Sequence, residues 1–367
     1  MLRKQLILLA LAAALLPATA SAADPRGVSP SDPNPLAGLT FYNQPDSPAM
    51  NEWRHLERTG QHGKADLIWK IASQPKALWL GRFTSPNFSV KVRRLIDPAR
   101  ERGEVPIFTV LRAQATGCSP TYQGGGPAED RRTENWYDDL ARVIGDDRVV
   151  IAFEPDSLGT LDCLAPSRRD DRLRVLGHGV DVVSKLPNAT VYIEAGASDW
   201  ESAERTAKLL RKVGVSKVRG FMLNVTHYDW TGNNIQHGLD ISRRLGGKHF
   251  IINTAENGRG GVHYKKWIDR ANHIWRRITV WCNPGLRGLG PAPTTDTQNP
   301  LVDAYMYINR PGYSAGSCNG GPLPVGTWWP SRALMYATYA TDWLAPPKGT
   351  VYGHYKHYSL RELGAFG

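Results

Sequence analysis

Seven short apolar runs punctuate the chain: "ALWLG" (77–81), "VPIFTVL" (105–111), "RVVIAF" (148–153), "TVYIEAG" (190–196), "VRGFMLNV" (218–225), "HFIINT" (249–254) and "DAYMYIN" (303–309). Most are apolar at successive rather than alternate positions, the pattern of strands buried on both faces. Longer segments between them read as amphipathic helices, for instance "NFSVKVRRLIDPARER" (87–102), "DRLRVLGHGVDVVSKL" (171–186) and "SAERTAKLLRKVG" (202–214). Buried strands separated by helices predict an α/β fold with a helix-covered parallel sheet. A dinucleotide-binding sheet would need G-x-G-x-x-G after its first strand, and none occurs there. "GGG" (124–126) and "GRGG" (258–261) lack both a following helix start and a phosphate-holding lysine. The pattern therefore predicts one domain over 39–346, a distorted parallel β/α barrel of about seven strands.

The two ends differ from this middle. Arg3 and Lys4 precede "LILLALAAALLP", and small residues at Ala20 and Ala22 follow, which predicts an export signal over 1–22 cleaved before Ala23. Residues 23–38 form a Pro/Ser-rich lead-in, and 347–367 a tail without periodicity. Losing Arg3 and Lys4 with the leader lowers the formal charge from +11 to +9. The remaining cations are scattered rather than clustered, which argues for solvated surface charge and against a nucleic-acid partner. No segment beyond the leader is apolar enough to span a membrane, so an exported monomer is expected. Four cysteines in an exported chain suggest two disulfides with three possible pairings. Cys118 with Cys163 and Cys282 with Cys318 are preferred, since each pair would join loops flanking candidate site segments. Without a C-x-x-C or a histidine at ligand spacing to a cysteine, neither a metal nor another cofactor is expected.

Chemistry belongs at the C-terminal ends of barrel strands, and several of these runs end in polar residues: Glu154 and Asp156, Glu194, Asn224, Asn253 and Asn309. In an extended chain Glu154 and Asp156 would face one side. Two carboxyls held close should raise one pKa, which suits a proton donor near neutrality. Tryptophans at 53, 79, 136, 200, 230, 281, 328 and 329 lie mostly in or beside the inferred loops. Indole faces stack on the apolar faces of sugars, so paired acids, loop tryptophans and export together suggest an enzyme acting on a polysaccharide.

These segments resemble glycoside hydrolase family 6, the endoglucanases and cellobiohydrolases that cleave β-1,4-glucan with inversion. The resemblance runs from "FYNQP" (41–45) through "FEPDSLG", "VYIEAGASDW", "GFMLNVTHYDWTG", "FIINTAENGRGG" and "WCNPGLRGLGP" to "DAYMYINRPG" and "GTWWPSRAL" (326–334). It implies a distorted barrel and two disulfides paired as above. It also implies Asp156 as general acid, with Tyr42, Trp200, Asn224 and Trp281 in contact with glucan. Other positions depart from the family pattern. Its Arg-Asp-Cys reads Thr116-Gly117-Cys118, its "DAGH" reads Glu194-Ala195-Gly196-Ala197, and its "K-x-P-G-E-S-D-G" reads Asn309 to Gly316 with Tyr313 and Ala315 at the acidic positions. None of the replacing Gly, Ala or Tyr residues can take a proton from water. Glu194 becomes the candidate for water activation, with Glu256 and Asp199 as more distant possibilities, and Asn309 and Tyr313 become altered substrate contacts. The expected activity is internal cleavage of cellulose-like β-glucan in an open cleft. The alternatives are a weak or inactive glucan binder and a hydrolase of a different exported polysaccharide.

Overall fold

The computed structural model describes residues 33–81, 87–113, 126–269 and 271–346. The expected leader, lead-in residues 23–32, the tail and Cys118 lie outside these residues.

Each of the seven apolar runs forms a strand. These are β1 (Leu78–Leu80), β2 (Ile107–Val110), β3 (Val149–Phe153), β4 (Ala189–Glu194), β5 (Gly220–Leu223), β6 (His249–Asn253) and β9 (Val302–Met306). They pair in parallel in the order β1-β2-β3-β4-β5-β6-β9. The ends of this sheet meet at a seam. Lys76 bridges Tyr307, Ala77 donates its N–H to the Tyr307 carbonyl at 2.9 Å, and Trp79 Nε1 donates to the Ile308 carbonyl at 3.0 Å. A seam held by one bridge and a few side chains makes the barrel distorted rather than fully laddered.

Alternation along each strand explains why both faces are apolar. In β3, Val150 and Ala152 point into the barrel with Tyr192, Met222, Ile251 and Met306. Val149, Ile151 and Phe153 point outward against the helices, with Phe108, Val191, Phe221 and Phe250. The covering helices are α3 (Phe88–Glu101), α4 (Pro127–Ile144), α5 (Pro166–Val183), α6 (Ala203–Lys212) and α7 (Thr231–Arg244). Pro127 and Pro166 open α4 and α5, where a missing N–H costs nothing. Ser202 caps α6 by accepting from the Arg205 N–H.

A third apolar cluster joins α1 (Pro48–Arg58), α2 (His62–Ala72) and α8 (Pro330–Thr338) around Ile68, Tyr307 and Tyr336. Below the strand ends, Asp303 accepts from Arg219 Nε at 2.8 Å, Arg219 Nη2 at 2.9 Å and Tyr192 Oη at 2.7 Å, tying β4, β5 and β9 together. One element breaks the parallel pattern. His263–Asp269 (β7) and Ile274–Thr279 (β8) form a separate antiparallel hairpin between β6 and β9.

Candidate active site

Asp156 sits just beyond the C-terminal end of β3, half-buried. The chain there is not extended, because Glu154 and Asp156 both adopt left-handed backbone angles, φ 57° and 67°. The expected side-by-side carboxyl pair is therefore absent. Glu154 turns away beneath the strand end, accepting from the N–H groups of Arg112 and Ala113 and from Tyr137 Oη at 2.7 Å. It is fully buried, and burial pushes its pKa up to about 7 against those donors. Asp156 is the one of the two that faces the rim, and its Oδ1 accepts from Thr226 Oγ1 at 2.5 Å.

Glu194, at the end of β4, takes the place that Glu154 was expected to fill. It is 2% exposed. Its Oε2 accepts from the Leu158 N–H at 2.9 Å and its Oε1 from the Gly196 N–H at 2.7 Å, so it props the loop that carries Asp156. Burial first, and the nearby Asp156 charge second, push its pKa up to about 8 despite those backbone donors. A carboxyl so enclosed acts first on the loop that it props and on the neighbouring Asp156.

Trp200 follows on the next turn, partly exposed. An alanine Cβ at Gly159 would lie 2.5 Å from its indole, so Gly159 is what lets this ring settle against the Asp156 loop. On one side the ring stacks on His227, centroids 4.7 Å apart at 12°. Trp281, 59% exposed, projects from a neighbouring loop beside the Cys282–Cys318 disulfide, whose Cα atoms are 6.1 Å apart. Cys163 is also disulfide-bonded, and its expected partner Cys118 lies outside the described residues.

The asparagines at the strand ends divide. Asn253 accepts from the N–H groups of Ile308 and Asn309 and donates to the Asn224 carbonyl at 3.0 Å. Asn224 is buried, with φ 68°, and donates to the carbonyls of Asp229 and Asn253. This pair stitches β5, β6 and β9 together, and Asn224 is fully buried. Asn309 donates to Glu256 at 2.8 Å. Burial raises the pKa of Glu256, which is 3% exposed among Arg332, Tyr336, Asn309 and Tyr228.

Tyr313 lies at the seam, with Arg310 4.5 Å from its ring centroid and Trp328 edge-on at 5.3 Å. Arg310 also lies 5.4 Å from the Trp79 ring, and these groups line a cavity of about 170 Å³ with Asn43, Gln44 and Lys76. A larger hollow of about 580 Å³ on the outer face of α4 and α5 is lined by Glu134, Asp170, Arg174 and His178, far from the strand ends.

Tyr42 is elsewhere. Its ring is 4% exposed, its N–H donates to the Val105 carbonyl at the entry to β2, and Arg102 lies 5.9 Å from its centroid. That is the opposite end of the barrel from Asp156. Trp136 and Trp230 are likewise core residues, 6% and 4% exposed, and Trp53 packs on Trp69 of α2. Sequence reasoning missed Thr226 and His227, although "NVTHYDW" places two polar groups directly after a strand end. Among the described residues no cluster of ligands suited to a metal ion occurs.

The comparisons with known proteins agree with this fold. The family described as "Glycosyl hydrolases family 6" matches residues 36–340. Endoglucanase A of Cellulomonas fimi is 33% identical over 310 residues, covering 84% of this chain and 62% of that protein. Endoglucanase 1 of Streptomyces halstedii is 28% identical over 83% of this chain and 89% of its own length. The chain thus spans about three-fifths of the first of these relatives. The endoglucanase Cel6 of Mycobacterium tuberculosis, solved with methyl-cellobiosyl-4-deoxy-4-thio-β-D-cellobioside, superposes with a TM-score of 0.72 at 34% identity, covering 84% of this chain and 99% of that one. Endoglucanase CEL6B of Humicola insolens shares the fold, with a TM-score of 0.68 at 20% identity. On the extent of these matches, the chain belongs to the glycosyl hydrolases family 6.

Proposed function

We propose that this protein is an exported glucanase that cleaves internal β-1,4-glucosidic bonds of cellulose-like chains with inversion. Asp156 would deliver the proton to the departing glycosidic oxygen. One observation carries this: a half-exposed carboxyl at a barrel strand end, backed by a buried glutamate of raised pKa and flanked by a partly exposed indole. Burial and the neighbouring Asp156 charge keep Glu194 protonated near neutrality, so the pair carries one proton, held on the Glu194 side and within the same site. Thr226, donating to Oδ1, fixes the carboxyl's direction. Trp200 and Trp281 would stack on glucose rings. Export is supported by the leader pattern and by the Cys282–Cys318 bond, which suits an oxidising compartment.

Inversion needs a second group, roughly 6.5–9.5 Å across the sugar, to activate water. Glu194 and Glu256 are enclosed, and Asp199 is taken up by two histidines. This observation favours a second reading, in which the chain binds glucan and turns it over slowly or not at all. Reducing ends released from barley β-glucan or carboxymethyl-cellulose separate the two. The glucanase reading expects release that Asp156→Ala abolishes. No release, with binding intact, would support the binding-only reading.

A further inference from the structure

Asp199 has no part in the chemistry above, yet its carboxylate is 2% exposed and meets three side chains. Oδ1 is 2.8 Å from His227 Nδ1, and Oδ2 is 2.9 Å from His263 Nε2 and 3.2 Å from Thr279 Oγ1. Burial alone would raise its pKa, but the bonds to His227 and His263 outweigh it and hold the group well below the usual carboxylate range. A charged carboxylate can only accept, so both imidazoles present N–H to it. His263 and Thr279 are the first cross-strand pair of the β7–β8 hairpin, so one carboxylate pins the hairpin's base. His227, held by the other oxygen and 8% exposed, lies flat against the Trp200 indole. One indole face is thereby covered, so a ligand stacking on this partly exposed ring would have to use the other.

The geometry points to His227 as a positioning residue: clamped by Asp199 and the hairpin base, it fixes Trp200 as the stacking platform for a glucose ring beside Asp156. The inference rests on the glucan reading of the cleft. Stacking needs the indole parallel to the sugar, and an indole already fixed loses no rotamer freedom when the sugar arrives. Removing the imidazole would let the ring drop into the vacated space. Because Asp199 sits next to Trp200 in the chain, the anchor and the platform move together.

The test is calorimetric titration of cellotetraose into the protein carrying Asp156→Asn, which prevents turnover. His227→Ala should weaken binding about tenfold, Trp200→Ala at least as much, and the double substitution no more than Trp200→Ala alone. His227→Phe keeps a flat ring over the indole without the bond to Asp199, and should recover part of the loss. In the active enzyme, His227→Ala should raise KM more than it lowers kcat. Unchanged affinity in His227→Ala beside a loss in Trp200→Ala would overturn the positioning role and leave the glucan reading standing. Failure of the Asp156→Asn parent itself to bind cellotetraose would remove the glucan reading, and this inference with it.

Discussion

A buried glutamate with a raised pKa makes a statement about stability as well as chemistry. Glu194 moves from an ordinary 4.5 to about 8, and Glu154 from 4.5 to about 7. Between those limits the folded protein holds protons that the unfolded chain releases. Their contribution to stability is therefore complete below about 4.5 and is lost as pH rises through 7 and 8. Asp199 acts in the opposite sense: its depressed pKa contributes above the ordinary 3.8 and is lost in acid. The melting temperature should thus decline from pH 5 to pH 9. Glu194→Gln should flatten that decline while lowering the whole curve, because an amide nitrogen would face the Leu158 or Gly196 N–H. A curve lowered but unchanged in slope would contradict the assignment. The position of Asp156 could be read from the apolar run that precedes it and from the "FEPDSLG" resemblance. Its partner was misread as Glu154, since two left-handed residues re-aim the chain in a way that spacing cannot reveal.

At the scale of elements, the strands were legible and the contacts between their ends were not. Seven continuous apolar runs predicted seven parallel strands, since a strand buried on both faces has no polar side to show. The β7–β8 hairpin was missed because its sequence, "HYKKWIDRANHIWRRIT", mixes charge with aromatics and forms no apolar run. Asn224 and Asn253 read as site residues, and their side chains also join the ends of β5, β6 and β9. Deeper in the barrel, Asp303 neutralises Arg219, both 3% exposed or less. Asp303→Ala would leave a buried cation without its partner, and should cost about 3–5 kcal/mol in urea unfolding. A loss under 1 kcal/mol would mean that Arg219 finds another acceptor. Gly159→Ala should act at the same scale with the fold intact: its Cβ would displace the Trp200 ring, raising KM for cello-oligosaccharides severalfold at a near-constant melting temperature. A KM that did not move would place Trp200 outside the binding path.

Across the whole molecule, the barrel closes weakly at the β9–β1 seam, and the loops above it carry the altered family positions Asn309, Tyr313 and Ala315. The Cys282–Cys318 bond ties two of these loops across 36 residues. Replacing both cysteines by serine should lower stability by roughly 2–4 kcal/mol. Reductant should lower the melting temperature of the native protein further than that of the double variant. Equal sensitivity to reductant would assign the effect to another bond. The family and the barrel could be read from short motifs that survive in order. What replaced the missing carboxylates could not be read, because a water-side group is defined by its distance across a bound sugar. The most direct test of Asp156 as the acid of an inverting glucanase is NMR of the products formed from cellopentaose. The account expects shorter cello-oligosaccharides whose new reducing ends appear first as the α-anomer, at a rate that Asp156→Asn cuts by at least about 10²-fold. New ends appearing first as the β-anomer, or a rate unchanged in Asp156→Asn, would contradict it.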